Sequence, residues 1–337
     1  MAGMLFGVAT PFSKLLLSGM NSFQLAGLLY LGAAAAMLPF ILRKNSDLKL
    51  LFLPASRLKT TGIIFFGGFL GPVLLLAGLK TANAASVSIW LNMELVATAI
   101  LGMIIFRDWL DRYSWIALLL TVSAGVITVI GEGVSGWISG LLITAACFSW
   151  AIDNHLTALT DGAMPQAVTF IKGLVAGSVN FILGNILAAE SLHFTGISLA
   201  LLVGIFSYGI SISLYVTSAQ NIGATRSQIL FSTAPLWGVL LSYIFFKGTF
   251  EWVHVLALLL LVVAVIVTNV LSHSHTHTHV AMEHIHYHRH DDEHHDHLHD
   301  EENKSPKKWH SHQHRHDPLT HEHPHDPDLH HRHGHGT

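Results

Sequence analysis

The chain has little charge and almost no cysteine. Only 12% of its 337 residues are charged, and Cys147 is its single cysteine. One cysteine excludes an internal disulfide, and its position in an apolar run favours a small packing residue over a reactive thiol. The sequence also has no glycine-rich phosphate loop, nucleophile elbow or catalytic triad pattern, so nothing in it indicates an enzyme.

The few charges are unevenly distributed along the chain. Residues 1–272 carry 12 Lys/Arg and 9 Asp/Glu, whereas residues 273–337 carry 6 and 12. The last 65 residues also hold 23 of the 26 histidines. The mean hydropathy of the whole chain is nevertheless +0.49, so the first part must be very apolar. The chain therefore divides into a hydrophobic body and a polar, histidine-rich tail.

Apolar runs long enough to cross a bilayer recur throughout the body. A helix of about 20 residues spans the hydrocarbon layer, and helices of a soluble protein would need polar faces that these runs lack. The sequence therefore predicts an all-α membrane protein with the lipid bilayer as a partner and without a nucleic-acid partner. The ten predicted spans are 1–18, 22–42, 60–79, 84–106, 113–130, 136–158, 164–188, 197–217, 223–246 and 252–271.

The spans fall into two similar halves. Residues 84–106 align with residues 224–246 at an offset of 140 residues. This alignment predicts a five-helix repeat at 1–131 and a second at 136–271, followed by the tail at 272–337. Because five is odd, the second repeat would enter the membrane inverted. Inverted repeats are typical of secondary transporters, whose substrate site lies near the midplane between them.

Basic residues indicate how the spans are oriented. Cytoplasmic loops of membrane proteins are enriched in Lys and Arg, so the loops after spans 2 and 4 should face the cytoplasm. With ten spans, both termini are then cytoplasmic, and we expect the plasma (inner) membrane. The basic residues of these two loops are Arg43, Lys44, Lys49, Arg57, Lys59, Arg107 and Arg112.

Charged side chains within the spans are candidates for the transport path. A charge at the bilayer centre costs at least about 2.5 to 3.5 kcal/mol, so such residues are usually functional and paired. Helical rise places Glu94 and Lys172 near the middle of spans 4 and 7. We expect a proton- or substrate-responsive carboxylate at Glu94, near Asn92, with Lys14 or Lys172 as counter-charge. The alternative is a static ion pair.

The densest polar sequence inside a span is residues 150–157, WAIDNHLT, in span 6. Asp153 and Thr157 are one turn apart and share a helix face, but three adjacent polar residues cannot all face one cavity. This segment predicts either a substrate or proton site near the cytoplasmic mouth, or helix–helix hydrogen bonding with His155 exposed. Arg226 is expected to reach the interface. The candidate path residues are Lys14, Asn92, Glu94, Asp153, Asn154, His155, Lys172 and Arg226.

Three motifs in the body resemble one transporter family. They are GVATPFSK from Gly7 to Lys14, ELVATAILGMIIFRD from Glu94 to Asp108, and APLW from Ala234 to Trp237. Over about residues 1–271 the chain is similar to the EamA type of the drug/metabolite transporter superfamily. It departs from the family pattern because the usual Glu-Pro pair is split between the halves and Gly248 stands where an acid is common. The resemblance implies ten helices around a central cavity and secondary transport, commonly export of small metabolites, without naming a substrate.

The tail is built on repeated His-x-His interleaved with carboxylates such as Asp291 and Glu293. Alternate residues of an extended chain project to the same side, so neighbouring imidazoles can chelate one ion. Imidazole and carboxylate without thiol favour Zn, Ni, Co or Cu over Mg or Ca. This composition cannot pack a core, so we expect disorder without metal. The predicted metal ligands are His273, His275, His277, His279, His284, His286, His288, His290, His294, His295, His297, His299, His310, His312, His314 and His316.

Together these features predict a secondary transporter that exports a small solute, which is either a metabolite or a divalent metal ion. Transport itself needs no cofactor in this interpretation, and the sequence assigns no oligomeric state. The alternative is a membrane-anchored metal- or pH-sensing protein without transport activity. The pH role is open because imidazole has an unperturbed pKa of about 6.5, so half-protonation would make the tail cationic. Incidental metal buffering by the tail is a third interpretation.

Overall fold

The structure, a computed structural model, shows a helical body. Lipid offers the backbone no hydrogen-bond partners, so a spanning segment must satisfy its N–H and C=O groups internally, as a helix does. The residues that the structure describes are 1–43, 48–106, 112–131, 133–160, 163–187, 192–246 and 251–270 in the body, and 274–278, 282–288, 310–316 and 320–324 in the tail.

The first half contains nine helices within its described residues, and two segments of π-helix continue them. Residues Ile63–Leu70 and Gly102–Phe106 are π-helical. The helices are α1 (Ala2–Gly7), α2 (Ala9–Leu16), α3 (Ser22–Arg43), α4 (Leu48–Leu51), α5 (Pro54–Gly62), α6 (Gly71–Thr81), α7 (Ala84–Trp90), α8 (Met93–Leu101) and α9 (Arg112–Gly131).

The second half contains seven helices within its described residues. One π-helical segment, Gly204–Ile210, connects two of them. The helices are α10 (Gly133–Ala158), α11 (Pro165–Leu187), α12 (Phe194–Val203), α13 (Ser211–Ile222), α14 (Ala224–Phe231), α15 (Ala234–Phe246) and α16 (Trp252–Val270).

Most of the predicted spans are present as long apolar helices. Among the described residues, eight helices are long and apolar enough to cross a membrane, and they lie where spans 2 to 9 are predicted. Two shorter apolar helices, Ala2–Leu16 and Trp252–Val267, lie at the positions of spans 1 and 10. The prediction of an all-α membrane body is confirmed, whereas the number of ten crossings stays a prediction.

Irregular backbone recurs in the two halves at an offset close to that of the sequence repeat. Span 4 is broken between α7 and α8 at Leu91–Asn92, and span 9 is broken between α14 and α15 at Ser232–Thr233. The π-helical segments Ile63–Leu70 and Gly204–Ile210 likewise occupy equivalent places in spans 3 and 8. Each half therefore carries the same two backbone irregularities, and broken helices at membrane depth occur where protein or a cavity covers them.

The first π-helical segment has carbonyl groups that bond to side chains of neighbouring helices. The carbonyl oxygen of Gly67 accepts hydrogen bonds from Tyr30 Oη (2.5 Å) and Trp150 Nε1 (3.1 Å). The carbonyl oxygen of Gly68 accepts one from Asn180 Nδ2 at 3.1 Å. These bonds satisfy polar backbone groups away from water and fix the orientation of two aromatic rings.

Helices α3 and α11, which are equivalent in the two halves, pack directly on each other through glycines. A Cβ atom on Gly27 would lie 2.5 Å from the backbone nitrogen of Phe181, and one on Gly173 would lie 2.6 Å from the carbonyl oxygen of Tyr30. The backbones are too close for any side chain here, which is common at helix crossings in membranes. The crossing brings Tyr30 and Lys172 to the wall of one cavity.

Part of the tail has described backbone structure. The strands are β1 (Ser274–Thr278), β2 (Met282–His288), β3 (His310–His316) and β4 (Thr320–Pro324). β1 pairs antiparallel with β4, and β2 pairs antiparallel with β3. Alternating His-x-His sequence is compatible with extended, paired backbone, and disorder of the tail without metal stays a prediction.

Candidate functional site

Glu94 lies in the first turn of α8, directly after the break at Leu91–Asn92. Its backbone nitrogen donates to the carbonyl oxygen of Leu91 at 3.1 Å, and the residue is 7% exposed. The first turn of a helix carries a partial positive charge from its free N–H groups, so this position favours a carboxylate. The break thus places a buried acid inside the helical body.

Asn154 on α10 connects Glu94 to helices on both sides. Its Nδ2 donates to Oε1 of Glu94 at 2.8 Å, and it lies 3.4 Å from Oε1 of Gln228 and 3.5 Å from Oγ1 of Thr98. The short contact is a good hydrogen bond, whereas the other two are long and weak. One buried amide therefore joins α8 of the first half to α10 and α14 of the second.

Asp153, the neighbour of Asn154, forms a buried ion pair. Nζ of Lys172 on α11 lies 2.6 Å from Oδ2 of Asp153, and the two side chains are 4% and 7% exposed. Oγ1 of Thr157 donates to Oδ1 of Asp153 at 3.2 Å. Removing two charges from water costs free energy that offsets much of their mutual attraction. Loss of either partner would leave the other charge buried and uncompensated. The predicted pairing of Lys172 with Glu94 is corrected, because Lys172 pairs with Asp153.

Lys14 caps the end of α6. Its Nζ donates to the carbonyl oxygens of Leu79 (2.8 Å), Lys80 (3.0 Å) and Ala82 (2.9 Å). The C-terminal carbonyls of a helix carry partial negative charge and attract a cation. The expectation that Lys14 is the counter-charge of Glu94 is therefore wrong, because its ammonium group is engaged by the backbone.

A cavity lies among these groups. Glu94, Asp153, Asn154 and Lys172 all line it, so the structure brings together four of the predicted path residues. The rest of the wall is largely aromatic. Its aromatic residues are Phe6, Tyr30, Trp150, Tyr208, Tyr215 and Phe231.

A second, smaller cavity shares Glu94 with the first. It lies where the break of span 4 faces the break of span 9, and Asn92 and Ser232 line it. Asn92 is 4% exposed, and its Nδ2 has no hydrogen-bond partner among the described residues. A buried donor without a partner is costly, so we expect a water molecule or a solute group to accept from Asn92.

The remaining predicted residues lie elsewhere. His155 is only 6% exposed and its Nε2 donates to the carbonyl oxygen of Thr98 at 2.9 Å, so the expectation that it is exposed is wrong. Arg226 lies on α14, but its side chain is outside the described part of the chain. The predicted metal ligands outside the described residues are His273, His279, His290, His294, His295, His297 and His299, and the others lie on β1, β2 and β3, whose side chains are not described.

The aromatic wall and Gln228 are absent from the predicted path. Aromatic residues in apolar spans usually pack in the core or at the membrane interface, so composition gives them no functional signal. Two features of the sequence could have identified the tyrosines of this wall. Tyr208 and Tyr215 are seven residues apart, two turns of helix, and a phenol hydroxyl inside a span needs a partner.

Comparison with known proteins agrees with this architecture. The model of the EamA-like transporter family matches residues 1–130 and again 137–270. An uncharacterized transporter from Methanothermobacter thermautotrophicus is 26% identical over 275 residues, which cover 74% of this chain and 78% of the relative. A protein of known crystal structure is 16% identical with a TM-score of 0.62, over 80% of this chain and 96% of its own. At that identity the structural likeness concerns the fold alone.

Proposed function

The chain belongs to the EamA-like transporter family, and we propose that it is a secondary transporter that exports a small organic solute by alternating access. The family and the relative named as a transporter establish the transporter class. The observation that carries the finer proposal is the buried polar centre of the body. Glu94, Asn154 and the Asp153–Lys172 pair surround one cavity, and such groups within membrane spans usually mark a substrate or ion path.

Alternating access needs elements that can exchange between two arrangements. Spans 4 and 9 are broken at equivalent places, and both breaks lie beside the cavity that contains Asn92. Glu94 lines both cavities and directly follows the break of span 4, so a change at that break would move this carboxylate relative to the solute. In inverted-repeat transporters the two halves rock around a site near the midplane. We assign Glu94 the role of the acid that senses the solute or a proton.

An organic cargo suits this site better than a divalent metal ion. Within the described residues there is no group of three or more His, Cys, Asp or Glu side chains that could hold a metal. Transition metals are held by several such ligands at short distance. We therefore assign metal binding to the tail, and propose that both termini are cytoplasmic at the plasma membrane, where the tail would sense Zn, Ni, Co or Cu and regulate transport.

Flux in proteoliposomes tests the proposal. The purified full-length protein is reconstituted, and counterflow is measured for labelled amines, amino acids, sugars, organic acids and Zn²⁺. We expect flux of an organic class, with a loss of roughly tenfold or more in Glu94→Gln, since one amide replaces the only acid shared by the cavities. Glu251→Gln is the matched control, because Glu251 is exposed and directly precedes α16.

The outcomes separate the two candidate functions. Organic flux that depends on Glu94 supports the transporter proposal. Binding of Zn²⁺ by the full-length protein without flux of any tested class would instead favour a membrane-anchored sensor and overturn it.

A further inference from the structure

Six aromatic rings in the wall of the first cavity, which Glu94, Asp153, Asn154 and Lys172 also line, form one continuous cluster. The ring of Phe6 on α1 lies 6.3 Å from Trp150, 5.6 Å from Tyr208 and 5.1 Å from Phe231, measured between centroids. Tyr30 extends the cluster from Tyr208 at 5.2 Å, and Tyr215 extends it from Phe231, also at 5.2 Å. Rings at these distances pack edge to face or tilted, and the faces of such rings carry partial negative charge. The cluster is thus an apolar surface that also attracts positive charge.

The charged groups of the same cavity are not balanced. Lys172 lies 2.6 Å from Asp153, so these two charges compensate each other. This is the one ion pair within the described residues, and the hydrogen-bond donor to Glu94 is the neutral amide of Asn154. When Glu94 is ionised, the wall therefore presents one carboxylate in excess of its cations. A buried charge needs a partner of opposite sign, which a cationic ligand supplies.

Two tyrosine hydroxyls in the wall also lack partners. Tyr208 is 0% exposed and Tyr215 is 7% exposed, and neither hydroxyl has a hydrogen-bond partner among the described residues. Both residues line the cavity that contains Glu94. A phenol hydroxyl can accept a hydrogen bond, and the N–H groups of an ammonium ion can donate several. The ammonium group of a protonated amine could donate hydrogen bonds to these hydroxyls as well as to the carboxylate of Glu94.

From these observations we propose that the first cavity binds a monovalent organic amine in its protonated form, with its ammonium group near Glu94 and its apolar part on the aromatic cluster. This inference rests on the proposed transport function and names the class of its solute. An anion would be repelled by the excess carboxylate. A neutral molecule would leave that carboxylate without a counter-charge.

Binding of matched probes to the full-length protein in detergent tests this inference. The probes are 2-phenylethylamine, 2-phenylethanol and 3-phenylpropanoate, which share a ring but are cationic, neutral and anionic at neutral pH. Isothermal titration should give a Kd for the amine that is roughly tenfold or more below those of the other two probes. Equal affinity for the amine and the alcohol would overturn the inference.

Substitutions assign the contacts. Glu94→Gln should weaken amine binding by roughly tenfold or more, because it removes the charge but keeps the shape. Tyr208→Phe and Tyr215→Phe remove only hydroxyls that the fold leaves unpartnered, so these variants should fold and bind the amine a few times more weakly. Phe65→Leu is the control, because Phe65 is 46% exposed on the outer surface of the body. Unchanged amine binding in both Glu94→Gln and Tyr208→Phe would also overturn the inference.

Flux measurements distinguish failure of this inference from failure of the proposed function. Amine binding without transport of any solute would leave the cation site in place and overturn the transporter proposal. Transport of a neutral or anionic solute without amine binding would overturn the amine inference and leave the transporter proposal in place.

Discussion

Asn154 donates a hydrogen bond of 2.8 Å to the carboxylate of Glu94, and this bond joins α10 of the second half to α8 of the first. Asn154 and Asp153 are consecutive, yet one binds an acid and the other binds Lys172. A single turn of α10 therefore connects both charged centres of the cavity. Any movement of α10 must act on the two centres together.

Removal of the Asn154 amide should destabilise the protein through Glu94. Asn154→Leu leaves a buried carboxylate without its donor, which costs about 1.5 to 3 kcal/mol. Thermal unfolding in detergent measures this loss. The double variant Glu94→Leu/Asn154→Leu removes both partners and should recover most of the stability while transport stays lost. If the loss of stability in the double variant equals the sum of the losses in Glu94→Leu and Asn154→Leu, the hydrogen bond is not the cause.

Separation of the Asp153–Lys172 pair should be more damaging. Lys172→Met leaves the Asp153 carboxylate buried without its cation, and loss of one partner of a buried pair typically costs about 3 to 5 kcal/mol. Asp153→Leu/Lys172→Met, which replaces both charges by apolar side chains, should restore stability to near that of the native protein. Chemical denaturation of the three proteins checks the order. A single variant as stable as the double variant would contradict the ion pair.

Lys14 should contribute to stability by capping α6. Lys14→Met removes three hydrogen bonds to backbone carbonyls, so we expect a loss of about 1.5 to 3 kcal/mol in the free energy of unfolding. Lys80→Met is the matched control, because Lys80 lies at the same helix end with its side chain exposed. Equal melting temperatures for the two variants would show that the cap has no energetic role.

The crossing of α3 and α11 should not tolerate a methyl group. A Cβ on Gly27 would meet the backbone of Phe181 at 2.5 Å, and backbone atoms cannot move aside as a side chain can. Overpacking of this kind costs about 1 to 3 kcal/mol, so Gly27→Ala should lower the melting temperature. Gly19→Ala is the control, since a Cβ there has no neighbour within 4 Å. Its melting temperature should be unchanged or slightly raised.

The tail should bind metal independently of transport. Truncation after Ser272 is expected to abolish binding of Zn²⁺ and Ni²⁺ in isothermal titration and to leave flux of the organic solute measurable. A full-length chain with the histidines of 273–316 replaced by Asn controls for the loss of polar sequence. Only neutral imidazole ligates metal, so binding should weaken as the pH falls below about 6.5. Unchanged binding after truncation would place the metal site in the body.

Several parts of the site could be predicted from the sequence because of their chemistry. A charge inside an apolar run is conspicuous, so Glu94, Asp153 and Lys172 were identifiable without any structure. Their partners were not, since helical spacing places residues on a face but does not say which helices face each other. Asp153 and not Glu94 is the partner of Lys172 because α10 and α11 both pack against the π-helical segment Ile63–Leu70, where Gly67 adjoins Asp153 and Gly68 adjoins Lys172. Likewise, Lys14 binds the end of α6 because α2 packs against that helix.

By itself, the sequence determined that the body is helical and membrane-embedded, because long apolar runs in lipid must satisfy their backbone groups internally. It also determined the two repeats and the separate chemistry of the tail. Only the tertiary structure decided which rings surround Glu94, which acid pairs with Lys172 and which hydroxyls lack partners. These relationships depend on contacts between helices that are distant in the chain, and the periodicity of one helix contains no information about its neighbours.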